Sequence, residues 1–472
     1  MLVLAIESST SSAKAVLYDT EKGIVNSEQR VYGSEISCGG KTDPKAVFDL
    51  CMDIARKVAE GQDVEAIALC GIWHGICVCD RKMEPVTPAY SWDFTESSDL
   101  CRNIRNNREI QGKLYQRTGC MPHSIYPRHT LQYLASRGLD MKDKYFVTQG
   151  GFNFFHMTGE FLESISTQSG SGLLNLFTKK YDEYALDMAG VKENQFGQLA
   201  TYHDVRPLSE STAKRIGIKA GIPVVPSHPD GALNQVGNYA HKPGVMTLSV
   251  GTSGALRVST RNPILPKGNE LWCYCGVENW ISGAAISGAC NCLNWFKEKF
   301  LCNMFSYAQL EEVQTKKENV PVFLPFLYGE RCPGWDDERR GGFYYIEPDM
   351  SVQEFYYGLQ QGILFNLYQC YQVLCQENGI PEKIYVSGGI TNSSRWLQML
   401  ADIFKKEIYV AEYPNASAMG AVALAMYAGG ELKNLCDFTE GAGCARLVSP
   451  KKANYSYYDV QYEKFLKVYN NK

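Results

Sequence analysis

Residues 1–18, MLVLAIESSTSSAKAVLY, contain the pattern that decides the fold. An apolar run from Leu2 to Ile6 leads into a loop of hydroxyl residues, Ser8 to Ser12, and a second apolar run from Ala15 to Tyr18 follows. Two apolar runs joined by a short polar loop predict a β-hairpin. The pattern returns far along the chain, where the loop Gly251 to Gly254 separates two further apolar runs. The two halves of the chain therefore begin alike.

Further apolar runs alternate with helical stretches in both halves. Additional strands are predicted at Ile67 to Cys70, Ile76 to Cys79, Ile384 to Val386 and Ile408 to Val410. Strands that alternate with helices are typical of layered α/β domains. The turn-rich segment 239–244 is the best candidate for a boundary, so we predict one domain over 1–241 and a second over 242–472.

The C-terminal segment carries aromatic residues that fall on one face of a helix. Their spacings are 4, 3 and 4, at Tyr458, Tyr462, Phe465 and Tyr469. This stripe predicts a terminal helix that docks against the second domain.

Composition and charge exclude several classes of function. The chain of 472 residues has 47 basic and 51 acidic side chains, which leaves no positive excess for binding a phosphate backbone. No apolar stretch reaches the roughly 18 residues of a membrane span, and the N-terminus lacks the basic start of a signal peptide. We therefore expect a cytoplasmic protein with no nucleic-acid or membrane partner.

Seventeen cysteines are scattered along the chain, and no two have the spacing C-x-x-C. Zinc sites usually contain thiolates at such spacings. Without a secretory signal, the cysteines are expected to be reduced and mostly buried, where they act as small apolar side chains.

The two loops rich in serine, threonine and glycine have a specific chemical use. Consecutive backbone N–H groups in such a loop can surround phosphate oxygens, and hydroxyl groups add further donors. Either loop alone is more often a plain polar turn. Their repetition in the same strand context favours two sides of one polyphosphate site. The segment that ends in Gly40-Lys41-Thr42 is not a P-loop, because Glu35 occupies the position of the first glycine of that motif.

Two further motifs contain glycine at a turn. Pro229-Asp230-Gly231 is a turn that can start a helix with Asp230 near its N-terminus. Such an aspartate is more often only a helix cap, and the functional alternative is a general base for a substrate hydroxyl. Gly388 and Gly389 follow a predicted strand, where glycine lets a ligand approach the backbone closely, or where a strand packs tightly on a helix.

Seven motifs, in order along almost the whole chain, resemble those of the FGGY carbohydrate kinases. They are LAIESSTSSAKAVLYD, IWHG, VCDRKMEPVTPAYSW, SHPDGALNQVG, MTLSVGTSGA, FLPFLYGERCPGWDDERRGGFYYI, and VSGGITNSSRWLQMLADIF with ASAMGAVALA. The resemblance implies an actin-like ATPase (ribonuclease H-like) fold of two duplicated α/β domains with a cleft between them. It also implies phosphoryl transfer from ATP, with Mg2+, to a sugar hydroxyl, with the sugar mostly on the first domain and the nucleotide mostly on the second.

The same resemblance implies roles for individual residues. Asp230 matches the catalytic base, and Glu7 matches the carboxylate that binds the metal. The residues implied to hold ATP are Thr10, Ser11, Lys14, Gly251, Thr252, Ser253, Gly388, Gly389 and Asn392. The residues implied to bind the sugar are Trp73, His74, Gly75, His123, Arg128 and Asp230.

Several positions depart from the family pattern. Glu7 and Ser9 stand where the first loop usually has Asp and Gly, and the extra methylene of Glu7 shifts its carboxylate. Phe94 and Glu96 lie in the segment after Trp92, where the family usually has an Asp and an Arg that help to define sugar binding. These departures lie near the sugar or the metal, so they affect the choice of substrate more than the kinase reaction.

Two details of the resemblance favour gluconate as the acceptor. The segment SHPDGALNQVG is similar to the S-D-G form of gluconate kinases, and His123 to Pro127 resembles their H-P-x-x-P segment. Thr130 stands where a lysine is expected, although Arg128 and His129 could meet a carboxylate. D-Xylulose or another ketose or polyol is the alternative acceptor. A third hypothesis is an actin-like nucleotide-binding regulatory protein that no longer phosphorylates sugar, and the oligomeric state stays open, with a homodimer among the options.

Overall fold

The computed structural model describes residues 1–312, 320–411, 416–438 and 443–471. A large mixed β-sheet lies in each half of the chain, with helices packed on its faces. The prediction of a duplicated α/β architecture is confirmed at this level. The boundary at 241/242 stays a prediction.

Within these ranges the strands are β1 (Leu2–Ser8), β2 (Ser12–Asp19), β3 (Gly23–Val31), β4 (Ser37–Cys38), β5 (Lys41–Thr42), β6 (Ala66–Gly71), β7 (Cys77–Cys79), β8 (Ala89–Tyr90), β9 (Tyr145–Val147), β10 (Leu162–Ser164), β11 (Gln198–Ala200), β12 (Arg206–Pro207), β13 (Pro223–Pro229), β14 (Val245–Val250), β15 (Gly254–Thr260), β16 (Trp272–Cys275), β17 (Trp280–Ile286), β18 (Val322–Leu324), β19 (Gly342–Tyr344), β20 (Lys383–Ser387), β21 (Ile408–Ala411) and β22 (Cys444–Val448). The α-helices described are α1 (Pro44–Ala59), α2 (Ser98–Asn106), α3 (Arg108–Thr118), α4 (Pro127–Ser136), α5 (Gln149–Thr158), α6 (Ile165–Ser169), α7 (Glu183–Ala189), α8 (Glu210–Ile216), α9 (Asp230–Gly237), α10 (Cys290–Trp295), α11 (Tyr307–Glu311), α12 (Val352–Asn378), α13 (Ser394–Phe404), α14 (Ala416–Ala428) and α15 (Tyr455–Asn470).

The two large sheets repeat one topology. The first has the strand order β12-β13-β6-β1-β2-β3, and the second has the order β16-β17-β15-β14-β20-β21-β22. In the first, the antiparallel pair β1 and β2 lies beside the parallel strand β6. In the second, the antiparallel pair β14 and β15 lies beside the parallel strand β20. The sequence repeat of hairpin and loop is therefore a repeat of sheet topology.

Both predicted hairpins form, and each ends in a hydroxyl-rich loop. β1 pairs with β2 as far as Ser8 and Ala13, and β14 pairs with β15 as far as Val250 and Gly254. The strands are almost entirely buried because helices cover the sheet faces. The loops lie at the carboxyl ends of β1 and β14, which is the edge of an α/β sheet where ligands bind.

Helices α9 and α14 pack against each other and on the first sheet, although α14 comes from the second half of the chain. A Cβ atom on Gly237 would lie 1.8 Å from the carbonyl oxygen of Ala416, and one on Gly420 would lie 2.1 Å from that of Leu233. Glycine at both positions therefore lets the two backbones touch. This crossing joins the two halves next to Asp230, the first residue of α9.

The C-terminal helix α15 docks on α12, as its aromatic stripe predicts. The hydroxyl oxygens of Tyr458 and Tyr357 lie 2.8 Å apart, and the rings of Phe465 and Phe365 lie 5.6 Å apart between centroids. Tyr458 and Phe465 are buried, so the prediction of a docked terminal helix is confirmed.

The cysteines are free thiols, of which eleven are buried, two half-buried and four exposed. The interpretation that they act mostly as buried apolar residues is confirmed. In the described ranges, no group of three or more His, Cys, Asp or Glu side chains could hold a metal ion by itself. Across those same ranges, no helix combines the length and the apolar character needed to cross a membrane.

Candidate active site

A cavity of about 590 Å³ opens between the two large sheets, next to the carboxyl ends of β1, β13 and β14. Its walls come from both halves of the chain and are polar and aromatic in character. They include Ser9, Thr10, Ser11, Trp73, His74, Trp92, Asp93, Asp230, Gly251, Thr252, Ser253, Arg257, Trp272, Tyr274, Arg331 and Gly388.

The two hydroxyl-rich loops both line this cavity. In the first loop, the N–H of Ser9 donates to the carbonyl oxygen of Ser12 at 2.9 Å, which closes a tight turn. In the second loop, the N–H of Gly251 donates to the carbonyl oxygen of Ser253 at 3.0 Å. Trp92 fixes the first loop from the side, because its Nε1 donates to Oγ1 of Thr10 at 3.0 Å. Hydroxyl groups from both halves therefore reach one space that is large enough for a polyphosphate.

Asp230 lines the cavity at the point where β13 ends and α9 begins. Its Oδ1 accepts the N–H of Gly231 at 2.8 Å. Burial raises the pKa of Asp230, while the cation of Arg257 and the N–H groups of Gly231 and Trp73 oppose that rise. A carboxylate whose pKa is raised is a stronger base than one in water. Asp230 is thus placed and tuned to accept a proton.

Arg257 is the charged neighbour of Asp230 that the sequence analysis missed. It lies on β15, and its Nη1 donates to Oγ of Ser249 at 3.1 Å. Its Nε is buried and has no hydrogen-bond partner among the described residues. Side chains alternate along a strand, so Ala255 and Arg257 face the cavity together. The signal available in the sequence was Arg257 itself. It is an isolated arginine in the apolar run just after the second loop, two residues after Ala255.

His74 presents a neutral ring to the cavity. Its backbone has a φ of 68°, and its Nδ1 lies 2.6 Å from the carbonyl oxygen of Gly170. A carbonyl oxygen only accepts, so Nδ1 carries the proton and Nε2 is an acceptor. Burial lowers the pKa of His74 to about 3, so the ring is uncharged near neutral pH. It can therefore accept a hydrogen bond from a sugar hydroxyl.

Aromatic rings form another part of the wall. Trp272 and Tyr274 on β16 stack with centroids 4.2 Å apart and an interplanar angle of 8°. Trp73 packs against Tyr274 at 5.1 Å, and its Nε1 donates to the carbonyl oxygen of Ser166 at 2.8 Å. Trp272 and Tyr274 were not identified from the sequence, because it is the pairing of β16 with β17 that brings them here.

Glu7 lies at the end of β1, close to Asp230. Oγ of Ser417 donates to its Oε1 at 3.0 Å, and Nζ of Lys14 lies 3.7 Å from its Oε2. Burial raises the pKa of Glu7, and Asp230 raises it further, against the opposing charge of Lys14. Oε2 is buried without a hydrogen-bond partner in the described part of the chain. Glu7 is next to Asp230 but is not on the cavity wall, and Lys14 already faces its Oε2. Mg2+ prefers oxygen ligands, so Glu7 fits a role in holding this ion through water and not by direct contact.

Comparison with known protein families identifies the chain. Residues 2–237 match the N-terminal domain of the FGGY family of carbohydrate kinases, and residues 246–429 match its C-terminal domain. The chain belongs to the FGGY family of carbohydrate kinases. It is accordingly an ATP-dependent sugar kinase with the two-domain actin-like fold that the motifs imply.

Relatives of this FGGY kinase match it over nearly the whole length. A gluconokinase of Bacillus licheniformis is 25% identical, over 97% of this chain and 93% of that protein. A xylulose kinase structure from Lactobacillus acidophilus has a TM-score of 0.92 at 23% identity, covering 99% of this chain and 98% of the other. A gluconate kinase structure from the same organism has a TM-score of 0.90 at 24% identity, covering 100% and 98%. The fold is thus shared with kinases of both names.

Lys14, Gly389 and Asn392 do not line the cavity of the kinase. Lys14 pairs with Glu7 across the first hairpin. Gly389 and Asn392 are exposed on the turn after Gly388, which does line the cavity. Gly388 has a φ of 91°, and a Cβ atom there would lie 2.5 Å from the carbonyl oxygen of Val250. Glycine is therefore required where this turn touches the second phosphate loop.

Gly75 and His123 also lie outside this cavity. Gly75 lines a separate space of about 20 Å³. Nε2 of His123 lies 2.6 Å from Oδ1 of Asp337, and its Nδ1 accepts the N–H of Ile125 at 3.3 Å. Both ring nitrogens are therefore occupied, and His123 joins the first half of the kinase to the second. It lies on the wall of an adjoining cavity of about 700 Å³ that shares Trp92, Asp93, Thr252 and Arg331 with the first cavity.

Arg128 is the sugar-side prediction that the geometry supports least. Its side chain is at the start of α4, is only 2% exposed and is not on the cavity wall. Burial lowers the pKa of Arg128 to about 10. The first turn of the helix places the side chain inside the first half, so a direct contact with the substrate has no support from its position.

Two of the four residues that depart from the family pattern are remote from the cavity. Phe94 is buried and packs on Tyr90 with ring centroids 4.6 Å apart. Glu96 accepts a hydrogen bond from Tyr133 and pairs with Lys41 at 3.7 Å. Ser9 is in the first loop, where its Oγ donates to the carbonyl oxygen of Ser12 at 2.8 Å. Phe94 and Glu96 therefore leave the surroundings of Asp230 unchanged, whereas Ser9 lines the cavity and Glu7 lies next to Asp230.

Proposed function

We propose that this kinase transfers the γ-phosphoryl group of Mg-ATP to a terminal hydroxyl of an open-chain sugar acid, with gluconate as the acceptor. The observation that carries the proposal is that Asp230 lines one cavity together with both hydroxyl-rich loops. A hydroxyl acceptor and a triphosphate can meet there with a base beside them. Phosphoryl transfer depends mainly on positioning and charge neutralisation, and this arrangement supplies both.

The residues of the chain divide the work of the reaction. Asp230 accepts the proton of the attacking hydroxyl, and Nε2 of His74 accepts a hydrogen bond from another hydroxyl of the same substrate. The loops 8–12 and 251–254 hold phosphate oxygens with N–H and hydroxyl donors. Glu7 would hold Mg2+ through water, and this ion when bound neutralises phosphate charge. Closure of the two halves around the bound substrates would keep water from competing with the sugar for the phosphoryl group.

Two features favour a sugar acid over a neutral sugar. Arg257 and Arg331 both line the cavity, and a buried anion needs cationic partners of this kind. The gluconokinase relative supports the same choice. A cytoplasmic location, where ATP is available, is part of the same proposal, and the homodimer stays a prediction.

D-Xylulose or a related ketose is the second candidate. Its support is the similarity in fold to the xylulose kinase structure. The regulatory alternative without kinase activity is less favoured, because Phe94 and Glu96 lie off the cavity wall while Asp230 is retained on it.

A panel of acceptors tests the proposal. The purified protein is incubated with ATP, Mg2+ and either gluconate, D-xylulose, glycerol or no sugar, and ADP release is followed by a coupled assay. We expect gluconate to give the highest kcat/KM and a phosphorylated product by mass spectrometry. Turnover of D-xylulose with none of gluconate would reject the sugar acid, and ADP release that no sugar accelerates would reject the kinase proposal.

A further inference from the structure

The loop 329–340 brings Arg331 to the active site from the second half of the chain. This loop lies between β18 and β19, and Arg331 is on the walls of both cavities described above. Its guanidinium is close enough to His74 to help lower the pKa of that ring, after the larger effect of burial. The position of Arg331 beside His74 therefore depends on what holds the loop.

Glu330, the residue before Arg331, carries a carboxylate on a fully buried side chain. Its Oε1 accepts the hydroxyl of Tyr469 at 2.6 Å and the N–H of Gly334 at 3.1 Å, and its Oε2 accepts Nη1 of Arg339 at 3.0 Å. A buried carboxylate needs such donors and a cation to offset the loss of water. Gly334 and Arg339 belong to the loop itself, whereas Tyr469 comes from the C-terminal helix α15.

Tyr469 also contacts the same loop with its ring and its backbone. Nη2 of Arg339 donates to the carbonyl oxygen of Tyr469, and the guanidinium carbon lies 3.9 Å from the centroid of the Tyr469 ring. The same guanidinium lies 4.9 Å from the ring of Phe326, which follows β18. Contacts of a cation with aromatic faces stabilise it in addition to its ion pair. One residue of α15 thus supports both members of the buried pair of Glu330 and Arg339.

The other tyrosines of the stripe on α15 have different partners. The hydroxyl of Tyr458 lies 2.8 Å from that of Tyr357, and the hydroxyl of Tyr462 donates to Oε1 of Gln372 at 2.6 Å. Both partners are on α12. The stripe therefore has two parts: Tyr458 and Tyr462 dock the helix, and Tyr469 contacts the loop of the active site.

We propose that Tyr469 is a positioning residue of the kinase, which fixes the backbone that carries Arg331 so that this guanidinium stays beside His74 and the acceptor. The helix α15 lies beyond the residues 246–429 that match the C-terminal domain of the family, so this support comes from outside the matched domain. Tyr469 is on the wall of neither cavity and acts only through the loop. The inference rests on the proposed placement of the sugar beside His74, but not on the identity of that sugar.

The first experiment compares the kinetics of Tyr469→Phe with those of the wild type. The change removes one hydroxyl and keeps the ring. Tyr462→Phe is the matched control, because it removes from the same helix a hydroxyl whose hydrogen bond has the same length of 2.6 Å. Rates are measured with ATP, Mg2+ and either gluconate or D-xylulose, whichever the wild type turns over faster.

We expect kcat/KM for that acceptor to fall by about 5- to 50-fold in Tyr469→Phe, since the lost hydrogen bond goes to a buried charge that holds a residue of the site. The control should change by less than about twofold. The KM for ATP should change by less than about twofold in both variants, because the hydroxyl-rich loops belong to the hairpins and not to the loop 329–340.

The second experiment measures amide hydrogen exchange of the loop in the free protein, without any substrate. The N–H of Glu330 donates to the carbonyl oxygen of Asp336 at 2.8 Å, and the N–H of Trp335 donates to that of Arg331 at 2.6 Å. These amides should exchange about 5-fold faster or more in Tyr469→Phe, because local opening of the loop becomes easier, and at the wild-type rate in Tyr462→Phe.

A double variant tests whether Tyr469 acts through Glu330. Once Glu330→Gln has removed the buried charge, adding Tyr469→Phe should lower kcat/KM by less than about a further twofold. A full further loss would overturn this route of action.

The outcomes distinguish the inference from the proposed function. In an active enzyme, equal losses in Tyr469→Phe and Tyr462→Phe, an equal loss for ATP and the acceptor, or slower turnover without faster exchange of the loop would overturn the role of Tyr469. A wild type that phosphorylates no sugar would overturn the proposed function, and the exchange rates would then still decide whether Tyr469 holds the loop.

Discussion

The two sides of the cavity are built on sheets of the same topology but carry opposite chemistry. The first half of the chain contributes the carboxylate of Asp230, with Glu7 next to it behind the wall, and the neutral acceptor of His74. The second half contributes the guanidinium groups of Arg257 and Arg331. The two sheets therefore share one topology, but one half supplies a base to the cavity and the other half supplies cations. The difference teaches that the substrates must bridge the halves, since neither side alone can hold and activate them.

The largest effect should follow from removing the base of the first side. Asp230→Asn keeps the size of the side chain and its contact with the N–H of Gly231, but it cannot take up the proton of the hydroxyl. We expect kcat to fall by about 100- to 10,000-fold with little change in the KM for ATP. Steady-state kinetics would check this, with the exposed Asp63→Asn as a control. Near-normal turnover of Asp230→Asn would remove the residue from the mechanism.

A smaller effect is expected from the second carboxylate of that side. Glu7→Gln keeps the size of the side chain and removes its negative charge, which faces Lys14. If Glu7 helps to hold Mg2+, activity should fall by about 10- to 100-fold, and the Mg2+ concentration for half-maximal rate should rise. Titration with Mg2+ measures this, and Glu21→Gln on the surface is the control. An unchanged Mg2+ concentration for half-maximal rate would show that Glu7 does not help to hold the metal.

The cationic side is tested by its influence on the base opposite. The charge of Arg257 lowers the pKa of Asp230, so its removal in Arg257→Gln should raise that pKa further. Asp230 must be ionised to act, and the acidic limb of the profile of kcat/KM against pH should therefore move to higher pH. In Arg257→Lys the charge remains and the limb should stay near its wild-type position. If the acidic limb of the profile moved to lower pH in Arg257→Gln, the expected effect of the charge of Arg257 on the pKa of Asp230 would be wrong.

The smallest effects should distinguish two glycines at the second phosphate loop. Gly388→Ala forces a side chain into a φ of 91° and against Val250, so it should destabilise the fold by about 1–3 kcal/mol. Gly251→Ala meets no atom within 4 Å, and its φ lies outside the left-handed region, so it should cost less than about 0.5 kcal/mol. Urea unfolding of both variants measures the difference. Equal destabilisation would show that the turn at Gly388 is looser than this structure has it.

Local patterns allowed much of the frame to be predicted from sequence. The hairpins at the start of each half follow from short apolar runs around a polar loop. Asp230 was found because it stands in a Pro-Asp-Gly turn, and its role as a base came from the resemblance of the surrounding motif to the family. The docked terminal helix follows from the spacing of Tyr458 and Phe465. These features depend on neighbours in the chain, and periodicity reports on such neighbours.

The remaining site residues depend on contacts between distant parts of the chain. Trp272 reaches the cavity through the pairing of β16 with β17, and Arg331 comes from a loop held by Asp337 against the first half. His123 finds its partner in the second half, and the start of α4 directs Arg128 into the interior. The motifs show which residues are close to one another in the sequence. They do not show on which face of the fold these side chains lie.

The most direct test of the division between the two sides is a crystal structure of the kinase with gluconate and a non-hydrolysable ATP analogue. The account predicts the terminal hydroxyl of gluconate within hydrogen-bond distance of Asp230, the carboxylate on a guanidinium group of the second half, Arg257 or Arg331, and the triphosphate between the loops 8–12 and 251–254. A carboxylate bound away from both arginines, or a terminal hydroxyl away from Asp230, would contradict it.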